Sequence, residues 1–224
     1  MHDIALLVIA KDPLPGRAKT RLCPPCTAEQ AAGLARAALL DTLEVVQHTP
    51  ASRRVLVLDG DARKWRHRGI EVIPQRGTGL AERLAGAFED VGAPALLVGM
   101  DTPQLTAALL LEGIEALADP AADAVLGPAD DGGYWSVGLK RPSRDAFTGV
   151  PMSLASTLSS QRLRLRRLGL RIHELPQLRD VDTIEDARAV AGAAPASRFA
   201  SALAATALPP SPPISAGALR AAIA

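Results

Sequence analysis

Four short polar segments carry the residues in this chain that could do chemistry. "AKDPLPGRAKTRL", residues 10–22, gathers Lys11, Arg17, Lys19 and Arg21 in a loop broken by Pro13, Pro15 and Gly16. "GMDTP" offers Asp101, "GPADDGGYW" offers Asp130 and Asp131 ahead of Gly132 and Gly133, and "RDVDTIED" offers Asp180 and Asp182. Lys19 and Arg21 can cancel phosphate charge, the arginine in bidentate fashion, and Gly16 lets backbone amides approach an anion closely. Carboxylates are hard oxygen ligands for a cation such as Mg²⁺, which usually takes one or two of them together with phosphates and water. A phosphate-plus-metal site is the chemistry that would use both sets. The basic loop is not a P-loop, because GxxxxGKS/T is absent.

Each segment also has a plainer reading that the sequence leaves open. The basic loop reads equally as a solvated turn. Asp101 reads as a turn carboxylate shaped by Pro103. Asp182 reads as a first-turn acid, since Thr183 with Glu185 and Asp186 is a helix start, where acids are favoured. Asp130 and Asp131 before the two glycines read as a hairpin turn. Adjacent carboxylates repel, however, and a turn that needs one acid does not require both.

The elements around these segments argue for a site. Strands are expected at Ile4–Ala10, Val55–Asp59, Glu71–Ile73, Ala95–Met100, Ala124–Gly127, Tyr134–Leu139 and Leu170–Leu175. Several are apolar throughout, as parallel strands covered on both faces must be. Helices are expected at about 28–48, 80–91, 106–118, 154–168 and 184–192, the first opened by a capping box from Thr27 to Gln30. This alternation predicts a three-layer α/β fold around a mostly parallel sheet. Ligands of such sheets bind beyond the carboxyl ends of the strands, and all four polar segments come after strands.

Composition removes several function classes. The chain has 224 residues, enough for one large domain, with 48% hydrophobic but only 3% aromatic residues, so the core is built from Leu, Val, Ile and Ala. With 25 basic and 24 acidic residues, the balance predicts no nucleic-acid partner and no membrane-surface partner. No apolar run approaches the roughly 20 residues of a membrane span, and no signal peptide is read at the start. Two cysteines without an export signal lead to the expectation of a cytoplasmic protein. From residue 194 the chain turns Ala-, Pro- and Ser-rich. Residues 1–193 are therefore read as the catalytic domain and 194–224 as an appendage: a short helix at 197–207 and a flexible end, or an Ala-rich helix docked on the body.

Other conspicuous residues receive modest readings. "CPPC" at 23–26 is taken as incidental loop cysteines, since no Cys or His pair stands by for zinc. Trp65 in "RKWRHRG" is assigned to a solvated basic face, and the four histidines show no metal spacing. Strand alternation sends one of Tyr134 and Trp135 into the core and the other outward, where it could stack on a sugar or base. "SQRLRLRRLGLR", 160–171, reads as an amphipathic helix with its charged side in water.

Taken in order, the four segments resemble the signatures of a bacterial glycosyltransferase A-like family, which run roughly KxPxPGxxKTRL, GxDxPxL, GPxxDGGY and DVDTxxD. The resemblance spans residues 4 to about 190. It implies a nucleotide-diphosphosugar-transferase (glycosyltransferase A) fold and a transferase using a nucleotide or nucleotide-sugar donor, a small-molecule acceptor and Mg²⁺ or Mn²⁺. The segments are similar also to phospholactate/phosphoenolpyruvate guanylyltransferases. Here, though, the opening carries two prolines and a glycine, and Glu82-Arg83 stands where those enzymes tend to have GLNxAL. The usual DxD is reduced to "GMD".

Carried over residue by residue, the resemblance implies that Lys11, Lys19 and Arg21 hold phosphates. Gly79, Glu82 and Arg83 would line the nucleotide cleft, and Asp101 and Asp182 would bind the metal. Gly132 and Gly133 would shape the acceptor side, with Asp131 a base or further ligand. Nucleotidylyl transfer to a small phosphorylated acid, or an inactive nucleotide-binding or scaffold protein, are the alternative readings.

Overall fold

The computed structural model describes residues 3–206 and Leu208. His2 and, Leu208 excepted, the expected flexible end lie outside the described residues. Seven strands form one sheet: β1 (Ala5–Lys11), β2 (Arg54–Asp59), β3 (Glu71–Pro74), β4 (Ala95–Gly99), β5 (Ala124–Pro128), β6 (Tyr134–Leu139) and β7 (Ile172–Glu174). Among the described residues, six α-helices accompany them: α1 (Ala28–His48), α2 (Leu80–Val91), α3 (Ala107–Ala118), α4 (Thr157–Arg167), α5 (Ile184–Ala193) and α6 (Arg198–Ala205). The strand order is β3-β2-β1-β4-β6-β5-β7. Every pairing is parallel except those of β6, which runs antiparallel to both β4 and β5.

The unbroken apolar strands are explained by burial on both faces. Leu6, Val8, Leu56, Leu96 and Val98 point to one side, against Leu39 and Leu43 of α1 and Leu110 and Ile114 of α3. Their alternates Leu7, Val55, Val57 and Leu97 point to the other, against Leu84 and Phe88 of α2 and Leu158 and Leu165 of α4. This is the expected three-layer fold. The predicted capping box opens α1: Thr27 Oγ1 accepts from Gln30 N at 3.2 Å and Gln30 Oε1 accepts from Thr27 N at 2.7 Å.

Three expectations are corrected by packing. The helix expected from 154 starts at Thr157, because the preceding segment lies across the β5–β6 turn: Leu154 N donates to Thr157 Oγ1 at 3.0 Å and Leu158 N to Gly132 O at 2.8 Å. Helix α4 ends at Arg167, and Leu170 N turns back onto Leu165 O at 3.1 Å, so β7 begins only at Ile172. Trp65 is not on a solvated face but 1% exposed. Its indole N–H donates to the buried carboxylate of Asp12 at 3.0 Å, and the Arg36 guanidinium lies 5.1 Å from its ring centroid. The basic neighbours hid a tryptophan that anchors the chain beside the end of β1. Cys23 and Cys26 are free thiols; Cys26 is buried in a small third core.

That third core joins Leu34 and Ala38 of α1 to Ala187 and Val190 of α5 and Phe199 and Leu203 of α6. The expected short helix thus forms as α6 and docks on α1. Asp41 of α1, 8% exposed, fixes it by accepting from Arg198 N at 3.0 Å and Phe199 N at 2.9 Å. These are charge-assisted bonds to otherwise unpaired helix N–H groups. Asp41→Ala is expected to destabilise the protein by about 2 kcal/mol and to make 198–205 an early proteolytic site. Urea denaturation with limited proteolysis checks both, and an unchanged midpoint would contradict this role.

Candidate active site

The sheet delivers all four polar segments to one edge. Register pairs Lys11 at the end of β1 with Asp59 at the end of β2, and Ile9 with Gly99 at the end of β4. The strand order departs in opposite directions from β1, so a crevice opens at the carboxyl ends of β1 and β4. A cleft of about 630 Å³ occupies this place, lined by Lys11, Arg17, Lys19, Arg21, Gln75, Arg83, Asp101, Tyr134, Trp135 and Asp182 among others.

The basic loop and the acidic loops meet directly. Lys19 Nζ lies 2.8 Å from Asp101 Oδ1 and 3.5 Å from Asp182 Oδ1, and it donates to the Val181 carbonyl. Arg21 reaches the other oxygen of Asp182 at 2.8 Å. Burial of the Lys19 ammonium opposes its charge, but Asp101, then Asp182 and Asp180, outweigh that and hold its pKa above the usual lysine value. The loops are tied by backbone as well, since Val181 N donates to Asp101 O at 3.0 Å.

A second acidic group stands beside Asp182. Carboxylate oxygens of Asp131, Asp180 and Asp182 lie within 4.8 Å of one another. Val181, fully buried, separates the latter two, so alternation in this extended segment sends both carboxylates to the face away from the core. Burial first, then the charge of Asp131, raises the Asp180 pKa from 3.8 to about 6. Three oxygen donors set this close suit a hard divalent cation such as Mg²⁺ or Mn²⁺.

The raised pKa has a consequence for stability. Above about pH 6 the folded protein holds a charge that the unfolded chain carries freely from about pH 4 upward, so metal-free stability falls between those values. After solvent screening the loss is on the order of 1–2 kcal/mol. Thermal melts in EDTA from pH 4 to 7 are expected to show this fall in the wild type and not in Asp180→Asn. Identical profiles would contradict it.

The paired acids of "ADDGG" divide their work. Asp130 accepts from Gln177 Nε2 at 2.8 Å and Arg179 Nε at 3.1 Å, clamping the 177–179 segment to the end of β5. Asp131 accepts from Gly133 N at 2.7 Å within the turn and presents its carboxylate to Asp180 and Asp182. The hairpin reading thus fits Asp131, which also faces the other acids, whereas Asp130 ties down a neighbouring segment. Trp135 is the inward residue, its indole bonded to Pro176 O at 3.0 Å. Tyr134 is partly exposed in the cleft, while its hydroxyl bonds Gln161 Oε1 at 3.2 Å and burial raises its pKa.

Not every expected site residue faces the cleft. Gly79, Glu82, Asp131, Gly132 and Gly133 are absent from its lining. Gly79 caps α2, and the Glu82 carboxylate turns back to accept from Thr78 N at 2.8 Å and Thr78 Oγ1 at 2.9 Å. Gly16 is exposed in the basic loop, outside the lining. Arg83 does face the cleft, held by Asp59 Oδ2 at 2.9 Å and Gln75 Oε1 at 3.2 Å. Gln75 is the residue that sequence reasoning missed, while Asp180 stands among the sequence's chemically able residues without a role in the site.

Fold and cleft define an α/β protein of the nucleotide-diphospho-sugar-transferase type, with cations and carboxylates facing each other at the sheet's carboxyl edge. The chain belongs to the family described as "Uncharacterized protein conserved in bacteria (DUF2064)", which matches residues 42–154. It is similar to a provisionally named nucleotide-diphospho-sugar transferase from Desulfovibrio desulfuricans G20. That crystal structure superposes with a TM-score of 0.74 at 30% identity over 83% of this chain and 85% of that one.

Two more distant structures share the fold alone. CMP:2-keto-3-deoxy-manno-octonic acid synthetase complexed with CTP has a TM-score of 0.52 at 14% identity, over 85% of this chain and 98% of that one. Rv0371c of Mycobacterium tuberculosis H37Rv, in complex with manganese, has a TM-score of 0.50 at 24% identity, over 84% and 97%. No curated protein matches the sequence. No helix among the described residues is long and apolar enough to cross a membrane.

Proposed function

We propose that this protein is a transferase that binds a nucleotide-activated donor together with Mg²⁺ or Mn²⁺ and passes the donor's sugar to a small-molecule acceptor. The observation that carries this reading is the meeting of Lys19 and Arg21 with Asp101 and Asp182 in one large cleft at the sheet's carboxyl edge. The 30% identical relative is named for the same kind of donor, and more distant proteins of this fold bind CTP or manganese.

In this reading Lys11, Lys19 and Arg21 take the donor's phosphates. Arg83, oriented by Asp59 and Gln75, lies on the far wall, with Gly79 and Glu82 fixing the Thr78–Leu80 edge. Asp182, with Asp101 on one side and Asp180 on the other, would hold the metal. A divalent cation there would offset charge growing on the leaving diphosphate. Gly132 and Gly133 set the hairpin that presents Asp131, which removes the proton of the attacking acceptor hydroxyl as a general base. Tyr134, the cleft-facing member of the aromatic pair, offers a ring for a sugar or base to stack on.

The test is to incubate the protein with a panel of nucleotide sugars and Mn²⁺ and to identify the released nucleotide. A nucleoside diphosphate is expected. Release of pyrophosphate from a nucleoside triphosphate, with no reaction of any nucleotide sugar, would replace sugar transfer by nucleotidylyl transfer.

A further inference from the structure

Lys19 stands in a position that the phosphate role alone does not explain. Its side chain is 9% exposed, against 74% for Arg21, and its ammonium is spent on protein groups: Asp101 at 2.8 Å, Asp182 at 3.5 Å and the Val181 carbonyl. Those two carboxylates are among those that would hold the metal. An ammonium wedged between them is a monovalent cation in the place of a divalent one. The two charges repel if both remain, so one must yield.

We propose that Lys19 is a built-in counter-ion that closes the Asp101–Asp182 pair to a free divalent cation until the donor's phosphates draw the ammonium away. The protein would then take cation and donor together, and not the cation first. This rests on the reading of the cleft as a nucleotide site. Three features make the exchange feasible. Lysine carries a compact charge on a flexible four-carbon stem, so the head can move without the backbone. Lys19 lines the same cleft as Lys11, Arg17 and Arg21, so phosphates held there lie within its reach. Asp182 keeps a second cationic partner in Arg21, so departure of Lys19 does not strip it of all compensation. The device keeps a cation out of the space between Asp101 and Asp182 in the absence of donor.

The test uses Lys19→Gln, which removes the charge while keeping an N–H donor for the Val181 carbonyl, with Mn²⁺ and inorganic pyrophosphate as probes. Free Mn²⁺ is followed by electron paramagnetic resonance, and pyrophosphate binding by thermal shift in EDTA. The substitution is expected to tighten Mn²⁺ binding by about tenfold or more and to weaken pyrophosphate binding by a similar factor. A merely structural lysine would weaken both. Mn²⁺ affinity unchanged or lowered in Lys19→Gln, with the wild type still binding both probes, overturns the exchange and leaves the proposed function standing. A wild type that binds neither probe overturns both.

Should Lys19→Gln not fold, the wild type decides alone. Its thermal shift with Mn²⁺ and pyrophosphate together is expected to exceed the sum of the separate shifts. A full shift from Mn²⁺ alone would overturn the proposal.

Discussion

Asp182→Asn is expected to reduce donor turnover about 10³-fold, the loss typical of removing one group that stabilises charge in a transition state. The reason is its place at the junction of every charged segment. One oxygen faces Lys19 at 3.5 Å, the other meets Arg21 at 2.8 Å, and the carboxylate lies within the group formed with Asp131 and Asp180. Asparagine keeps the shape but removes the charge, presenting N–H where a metal or guanidinium requires oxygen. Because Asp182 is only partly buried and its segment is held by Val181 in the core, the fold is expected to survive. Asp130→Asn is the informative comparison, since Asp130 is clamped by Gln177 and Arg179. It should lower stability by about 1 kcal/mol and turnover far less. Initial rates with Mn²⁺, alongside thermal melts, separate the two, and an Asp182→Asn enzyme within about tenfold of the wild type would contradict the assignment.

Gly132→Ala is expected to be the most damaging small substitution near the site, costing about 3 kcal/mol or more, or roughly 6–12 °C in melting temperature. Gly132 has φ +86°, a region that side chains rarely adopt, and an added Cβ would meet the Ala155 carbonyl oxygen at 2.1 Å. That neighbour is backbone, anchored by the Leu158 N to Gly132 O bond of 2.8 Å, so it cannot turn aside like a side chain. The clash must displace either the hairpin that presents Asp131 or the segment that brings Ser153 to the cleft. Gly149→Ala isolates backbone strain from collision, for Gly149 has φ +74° and nothing within 4 Å of the added atom. Its cost should be about 1 kcal/mol. Equal melting temperatures for the two variants would show that the contact with Ala155 does not constrain the hairpin.

Much of this architecture is legible in the sequence because burial leaves a direct imprint on it. β1 and β4 are apolar throughout since both faces of the sheet are covered, and the polar residues just beyond them had to fall on one edge. The capping box of α1 is legible for the same kind of reason: its partners are three residues apart. Contacts across the chain are not. Nothing in "RDVD" says that Lys19, 162 residues away from Val181, lies among its carboxylates. Trp65 among arginines and a lysine reads as surface, and its burial depends on Asp12 and Arg36 arriving from β1 and α1. The motif resemblance places Glu82 in the cleft, whereas its carboxylate turns back onto Thr78 before its own helix.

The most direct test of the central claim is a thermal-shift screen of the purified protein against nucleotide sugars, nucleoside diphosphates and nucleoside triphosphates, each with Mg²⁺, Mn²⁺ or EDTA. Stabilisation reports occupancy of the native state. The cleft as described predicts a shift with a nucleotide sugar that requires the divalent cation, disappears in EDTA and is lost in Asp182→Asn. The absence of any cation-dependent shift, from any nucleotide, would contradict the account of the cleft as a donor site.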